Sequence, residues 1–227
     1  MSIGAAAYPL SAVRDLALHV QGLVRKIDAP PRKQDVLAAV QRVGWLQIDT
    51  LQVVRRSQEL VLWSRLGTYN PDYLENLAYD KEDRQLFEGW QHAACFIPLG
   101  DYRFQLPRKR ANRRTWGNMG SAKNRKLVQN VLTRIERDGP MRVADFEYDG
   151  PPLGTWWDWK PAKRALEFLV NRGDLMVSSR FHFQRLYDLT DRVLPDWTDT
   201  TEPTQTETLR YLLERSILAL GVCRVSQ

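Results

Sequence analysis

Gln47 and Asp49 stand on either side of Ile48 in the stretch GWLQIDTLQ, an amide and a carboxylate two positions apart. In an extended strand alternate residues share a face, so both would project together while Ile48 packs behind. In a helix they would lie roughly 200° apart and could not share a small ligand. Glycoside hydrolysis usually takes two carboxylates, one as acid and one as base or nucleophile. One suffices when the leaving group is already activated, as in a purine alkylated at N7 or N3, which carries positive charge. A carboxylate can then stabilise an oxocarbenium-like sugar and accept a proton from water. A side-chain amide can orient that water, since it both donates and accepts. The same spacing also serves as surface or capping residues, and a half-buried strand alone would explain it.

The elements that would position the pair are legible as helix and strand patterns. Ser11 reads as the cap of a first helix with Val13, Leu16, Ala17, Val20 and Leu23 on one stripe reaching Val24. A second helix runs from about Gln34 to Val43, with Val36, Leu37, Val40 and Val43 inward and Gly44 as its stop. After the Gln-x-Asp stretch, VVRRSQELVLWSRL reads as a third helix, and a short one follows Pro71. RQLFEGWQHAACFIPL fits either strand or buried helix, and His92 within it reads as a packed core residue. Tyr69, Tyr73 and Trp90 are either core aromatics or surfaces for a base to stack on.

A long helix from about Ser121 to Arg137 comes next, then a short one in MRVADFE, a loop in GPPLGTWWDW, and a helix opened by Pro161 and stopped by Gly173. Ala162, Ala165, Leu166, Leu169 and Val170 give that helix its apolar stripe. Two short strands then follow, joined through Ser178–Arg180. Three helices and a β-hairpin in this order make a winged helix, whose third helix commonly enters the major groove. LPDWTDTTEPTQTE reads as a polar linker before a last helix from about Glu207 to Leu220. Glu88 and Asp158 read as structural hydrogen-bond acceptors.

The 227 residues suffice for one large or two small domains, and 43% hydrophobic with 26% charged residues is a globular composition. No apolar run approaches the roughly 20 residues of a membrane span, and the start shows no secretion signal. Cys95 and Cys223 are the only cysteines, which argues against a disulfide framework or zinc site and fits a reducing cytoplasm. The net charge of +6 favours a polyanionic partner. From Arg103 to Lys126 nine lysines and arginines occur with no acid, interleaved with Phe104 and Trp116. A solvated charged face is the plain reading of such a run; a phosphate-binding strip is the functional one. The residues that would hold DNA are Arg55 and Arg56 after the motif, Arg108, Lys109, Arg110, Arg113 and Arg114 in the strip, Lys160, Lys163 and Arg164 opening the third helix, and Arg180 and His182 on the wing. Cations in a helix's first turn oppose its dipole by about 0.3–1 kcal/mol each, which a bound anion would offset.

Four stretches, GWLQIDTLQVVRRSQELVLWSRLG, LFEGWQHAACFIP, WWDWKPAKRALEFLVNRGDLMVSSR and FQRLYDLTDRVLP, together resemble the winged-helix DNA glycosylases of the YcaQ and AlkZ type. The resemblance implies a mainly α fold with small β wings, built of tandem winged-helix units around a basic channel. It implies excision of N-alkylated purines, interstrand crosslinks included, by a monofunctional glycosylase using neither metal nor cofactor. Gln47 and Asp49 match the Gln-x-Asp form of the family motif, which resembles its broad-specificity branch. Members often continue with Arg-x-His, where this chain has Arg56, Ser57 and Gln58. On this reading residues 1–118 form a first unit, 119–195 a second, and 196–227 a linker and the first helix of an incomplete third. A β-rich portion would be lacking and activity reduced. The expected partner is double-stranded DNA carrying alkylated or crosslinked purines, met by a monomer in the cytoplasm, associated with the nucleoid. The alternative is a non-catalytic winged-helix DNA-binding protein or transcriptional regulator.

Overall fold

Glycines with positive φ end several of the helices, and the segments between them set the architecture. The structure, a computed structural model, describes residues 7–24, 29–147, 150 and 160–223. The tryptophan-rich loop, with Asp158, lies outside the described residues. The chain forms two compact units. The first takes residues 1–74, 89–98 and 204–227; the second takes 75–88 and 99–203.

In the first unit α1 spans Leu10–Val20, α2 Lys33–Val43, β1 Leu46–Gln47, α3 Ser57–Leu66, and α4 begins at Asp72. Helix α1 starts before Ser11, with Pro9 at its N-cap, so Ser11 is not the cap. Val36, Ala39 and Val40 form the buried stripe of α2, with Leu37 and Val43 half-buried beside it. The run Val53–Arg56 is not helical. Its valines match the periodicity of α3, but the helix opens only at Ser57.

The ambiguous segment 84–99 is a β-hairpin, β2 (Leu86–Trp90) and β3 (Ala94–Pro98). Strand β1 pairs antiparallel with β3, Leu46 opposite Phe96 and Gln47 opposite Cys95, and the sheet order is β1-β3-β2. Helix, strand, helix, helix, hairpin is the winged-helix order. Helix α9 (Gln205–Leu220) is capped by Thr204, whose hydroxyl accepts the Glu207 N–H. It packs against α1 and α2 rather than standing apart: Gln21 donates to the Ala219 carbonyl, and Arg215 to the carbonyls of Gln41 (2.9 Å) and Gly44 (3.3 Å).

The second unit repeats the same topology. Helix α6 (Ala122–Asp138) is capped by Ser121, α7 (Pro161–Arg172) opens at a proline and closes at Gly173 in the left-handed conformation, and β4 (Leu175–Phe181) pairs with β5 (Gln184–Leu189). Met141 exchanges both backbone hydrogen bonds with Tyr187 of β5, so its segment, β5 and β4 lie in the order of the first sheet. Val128, Val131, Ile135, Ala165, Leu166, Leu169, Leu175 and Tyr187 make the core. The hairpin turns at His182–Phe183, not at Ser178–Arg180. Phe181 faces Gln184 across a two-residue loop with φ of +47° and +65°, the signs a tight hairpin turn needs. The polar Ser178–Ser179 pair that suggested a turn is instead where the register slips at a bulge. A short 3-10 turn (Leu99–Gln105), α5 (Leu106–Arg113) and α8 (Thr190–Val193) complete the unit.

Candidate active site

Leu46 and Ile48 are buried while Gln47 is exposed and Asp49 half-buried, the alternation a strand imposes. The ladder runs past the two residues of β1, because the Ile48 N–H donates to the Ala94 carbonyl at 2.7 Å. Gln47 and Asp49 therefore leave the backbone on the same side. The Asp49 backbone N–H donates to Oε1 of Gln58 at 3.0 Å, and the Asp49 carboxylate accepts the Leu51 N–H at 2.9 Å. Gln58 is buried in the first turn of α3. Asp49 is thus held at its backbone N–H and at its carboxylate, and the residue is still partly open to water.

His92 lies 3.1 Å from Gln47, Nε2 to Oε1. It is exposed, not packed in the core, because residues 91–93 form the tip of the β2–β3 hairpin. With Nε2 donating, the Gln47 oxygen is held and its NH2 group is left to donate elsewhere. Neither Gln58 nor His92 was assigned to the site from sequence. Gln58 appeared only as a departure from Arg-x-His, and His92 is brought in by a pairing of strands 45 residues apart. Among the described residues no three His, Cys, Asp or Glu side chains cluster as a metal site.

The expected DNA contacts separate into two groups. Arg55, Arg108, Arg110, Arg114, Arg164 and His182 are exposed, and Arg56, Lys160 and Lys163 half-buried. Arg55 pairs with Glu59 at 3.4 Å and Arg110 with Glu202. Lys109 and Arg180 differ from the expectation. Burial, then the charges of Arg113 and Arg108, lowers the Lys109 ammonium to about 8, and its Nζ donates to the Val170 carbonyl at 3.1 Å. Asn112 and Arg113 add bonds to the carbonyls of Asn171, Arg172 and Gly173. Part of the basic strip therefore closes the C-terminus of α7, where four carbonyls lack helical partners.

Arg180 is turned inward onto Glu88, Nε to Oε1 at 2.6 Å and Nη2 to Oε2 at 2.8 Å, and its Nη1 donates to the Phe183 carbonyl in the wing turn. Arg185 and the Tyr79 hydroxyl complete the shell around Glu88. Burial pushes the Glu88 carboxyl up, but the Arg180 hydrogen bonds and the charges of Arg185 and Arg180 outweigh it and hold the group below its usual value. Glu88 is thus the structural acceptor the sequence suggested. Tyr69 and Tyr73 are half-buried, and Trp90 is exposed.

Two helix-helix-hairpin motifs of one topology define a winged-helix protein, mainly α with small antiparallel sheets. Residues 40–227 match the family model of DNA glycosylase AlkZ-like proteins, and the chain belongs to that family. A DNA glycosylase AlkZ from Streptomyces sahachiroi has a similar fold, with a TM-score of 0.61 at 15% identity over 95% of this chain. The chain spans 58% of the length of that protein.

Proposed function

We propose that this protein hydrolyses the N-glycosidic bond of N-alkylated purines in DNA, interstrand crosslinks included, as a monofunctional glycosylase. The observation that carries the reading is that Gln47 and Asp49 leave the extended chain on one side, with Asp49 half-buried, its backbone N–H held by Gln58 and its carboxylate by the Leu51 N–H. Family membership supports it. The alkylated purine leaves with the electron pair of its bond to C1′, and the positive charge moves from base to sugar. Asp49 faces that charge. At 4 Å and an effective dielectric of 20 the attraction is about 4 kcal/mol, or roughly a thousandfold in rate. Water held by the Gln47 amide attacks C1′, and its proton passes to Asp49 and then to solvent. His92 fixes the orientation of the Gln47 amide.

Arg55 and Arg56 in the first unit, and Arg108, Arg110, Arg114, Lys160, Lys163, Arg164 and His182 in the second, are proposed for the DNA backbone. Lys109, Arg113 and Arg180 are omitted because their cationic ends are engaged inside the unit. The partner is duplex DNA bound by a single copy of the chain. Among the described residues no helix is long and apolar enough to cross a membrane.

The test is release of 7-methylguanine from a duplex carrying one such base. Wild-type release that falls by about a thousandfold in Asp49→Asn supports the reading. DNA binding by both forms without release would make the chain a non-catalytic DNA-binding protein.

A further inference from the structure

The loop that leaves Asp49 carries its apolar side chains outward. Leu51 is 71% exposed, Val53 97% and Val54 79%. Single exposed apolar residues are ordinary. Three within four positions are not, and this loop is anchored at its base. The Leu51 N–H is bonded to the Asp49 carboxylate, and Gln58, just past the loop, holds the Asp49 N–H. The loop direction is therefore tied to the orientation of the carboxylate. Arg55 and Arg56 follow directly and supply the charge that suits a phosphate backbone.

We propose that Leu51, Val53 and Val54 form an apolar wedge that enters the DNA duplex beside the base acted on at Asp49. The assignment rests on the glycosylase reading of Gln47 and Asp49. Four residues of extended chain reach at most roughly 14 Å, so Val53 stays within about four base steps of the carboxylate. Side chains without hydrogen-bonding groups cannot read base edges, but they can occupy the space between two bases. Such insertion costs a few kcal/mol of unstacking and leaves the neighbouring base accessible. A glycosylase acting on a stacked base needs that access.

The experiment uses the full chain, a Val53→Ser/Val54→Ser double variant, and a duplex with one 2-aminopurine beside a mismatch. Both valines are exposed, so the variant should keep its circular dichroism spectrum and melting temperature. With binding followed by anisotropy, wild type should raise 2-aminopurine emission about threefold, and the bound variant should lose most of that rise. Equal emission from both proteins, an unchanged signal with wild type bound, or no binding of the duplex by wild type would overturn the wedge; an unchanged signal would direct the loop to an apolar protein surface instead. Release of 7-methylguanine, measured in parallel, reports on the glycosylase reading separately. An emission rise without release removes the chemistry and leaves the insertion standing.

Discussion

The two winged-helix motifs share a sheet order and differ in what their polar groups do. In the first, the strand beside the hairpin is β1, which carries Gln47 and leads to Asp49; in the second, the same place is held by Met141, buried against Tyr187. The second unit matches its inner charges to one another. Glu88 takes both Arg180 and Arg185, Arg185 also takes Glu167, and Arg192 closes the end of α6 through the carbonyls of Ile135 and Glu136. The first motif leaves its central carboxylate with one hydrogen bond among the described residues and an apolar loop in the open. The strand beside the hairpin therefore serves two purposes: in one motif it packs into the core, and in the other it carries polar groups that are left for something else.

Substitutions in the two units should separate an open carboxylate from a matched one. Asp49→Asn should cost about a thousandfold in base release and leave the unfolding midpoint in urea unchanged, since its carboxylate is half-exposed. A fall in stability of the same variant would show that Asp49 holds the fold. Glu88→Gln should do the reverse, destabilising by about 3–5 kcal/mol because the half-buried Arg180 and Arg185 lose the charge of buried Glu88. Glu88 also sets an acid limb. Its carboxyl lies below the usual value when folded, so its stabilisation is present above the unfolded value, about pH 4.3, and is lost as pH falls through the folded one. Urea titrations across that range should be flatter in Glu88→Gln.

Lys109 has the opposite sense. Its folded value near 8 lies below the unfolded value of about 10.4, so the unfolded chain binds the extra proton and stability rises with pH between them. Lys109→Met should remove that rise, and a persisting rise would assign it to another group. The smallest effect is expected in the wing. His182 sits at φ +47°, where asparagine is better tolerated, so His182→Asn should stabilise by about 0.5 kcal/mol by thermal unfolding.

Much of this was legible in the sequence where the signal is local. The stripe from Ala162 to Leu169 between Pro161 and Gly173, the Ser121 cap, and the alternation around Ile48 each reflect a period or a cap within a few residues. The misreadings have a common cause. Val53 and Val54 continue the spacing of α3, yet the chain there is turned by an Asx hydrogen bond at Asp49 and a distant amide at Gln58. Lys109 and Arg180 look like any surface cation until Val170 and Glu88, far away in sequence, are placed against them. The His182–Phe183 turn lacks the glycine or asparagine that announces one. Long-range partners are what a period cannot encode, and Gln58 and His92 reach the site by that route.

The division of the first unit into three separate segments bears on how the chain folds as it is made. Arg215 of α9 closes the carbonyl end of α2, yet well over a hundred residues separate them. At about 5–20 residues per second, α2 must wait roughly 10–35 s for its partner helix to be synthesised. The second unit ends at residue 203. During translation the region with the matched charges can be complete while the region bearing Asp49 is still waiting for its last helix.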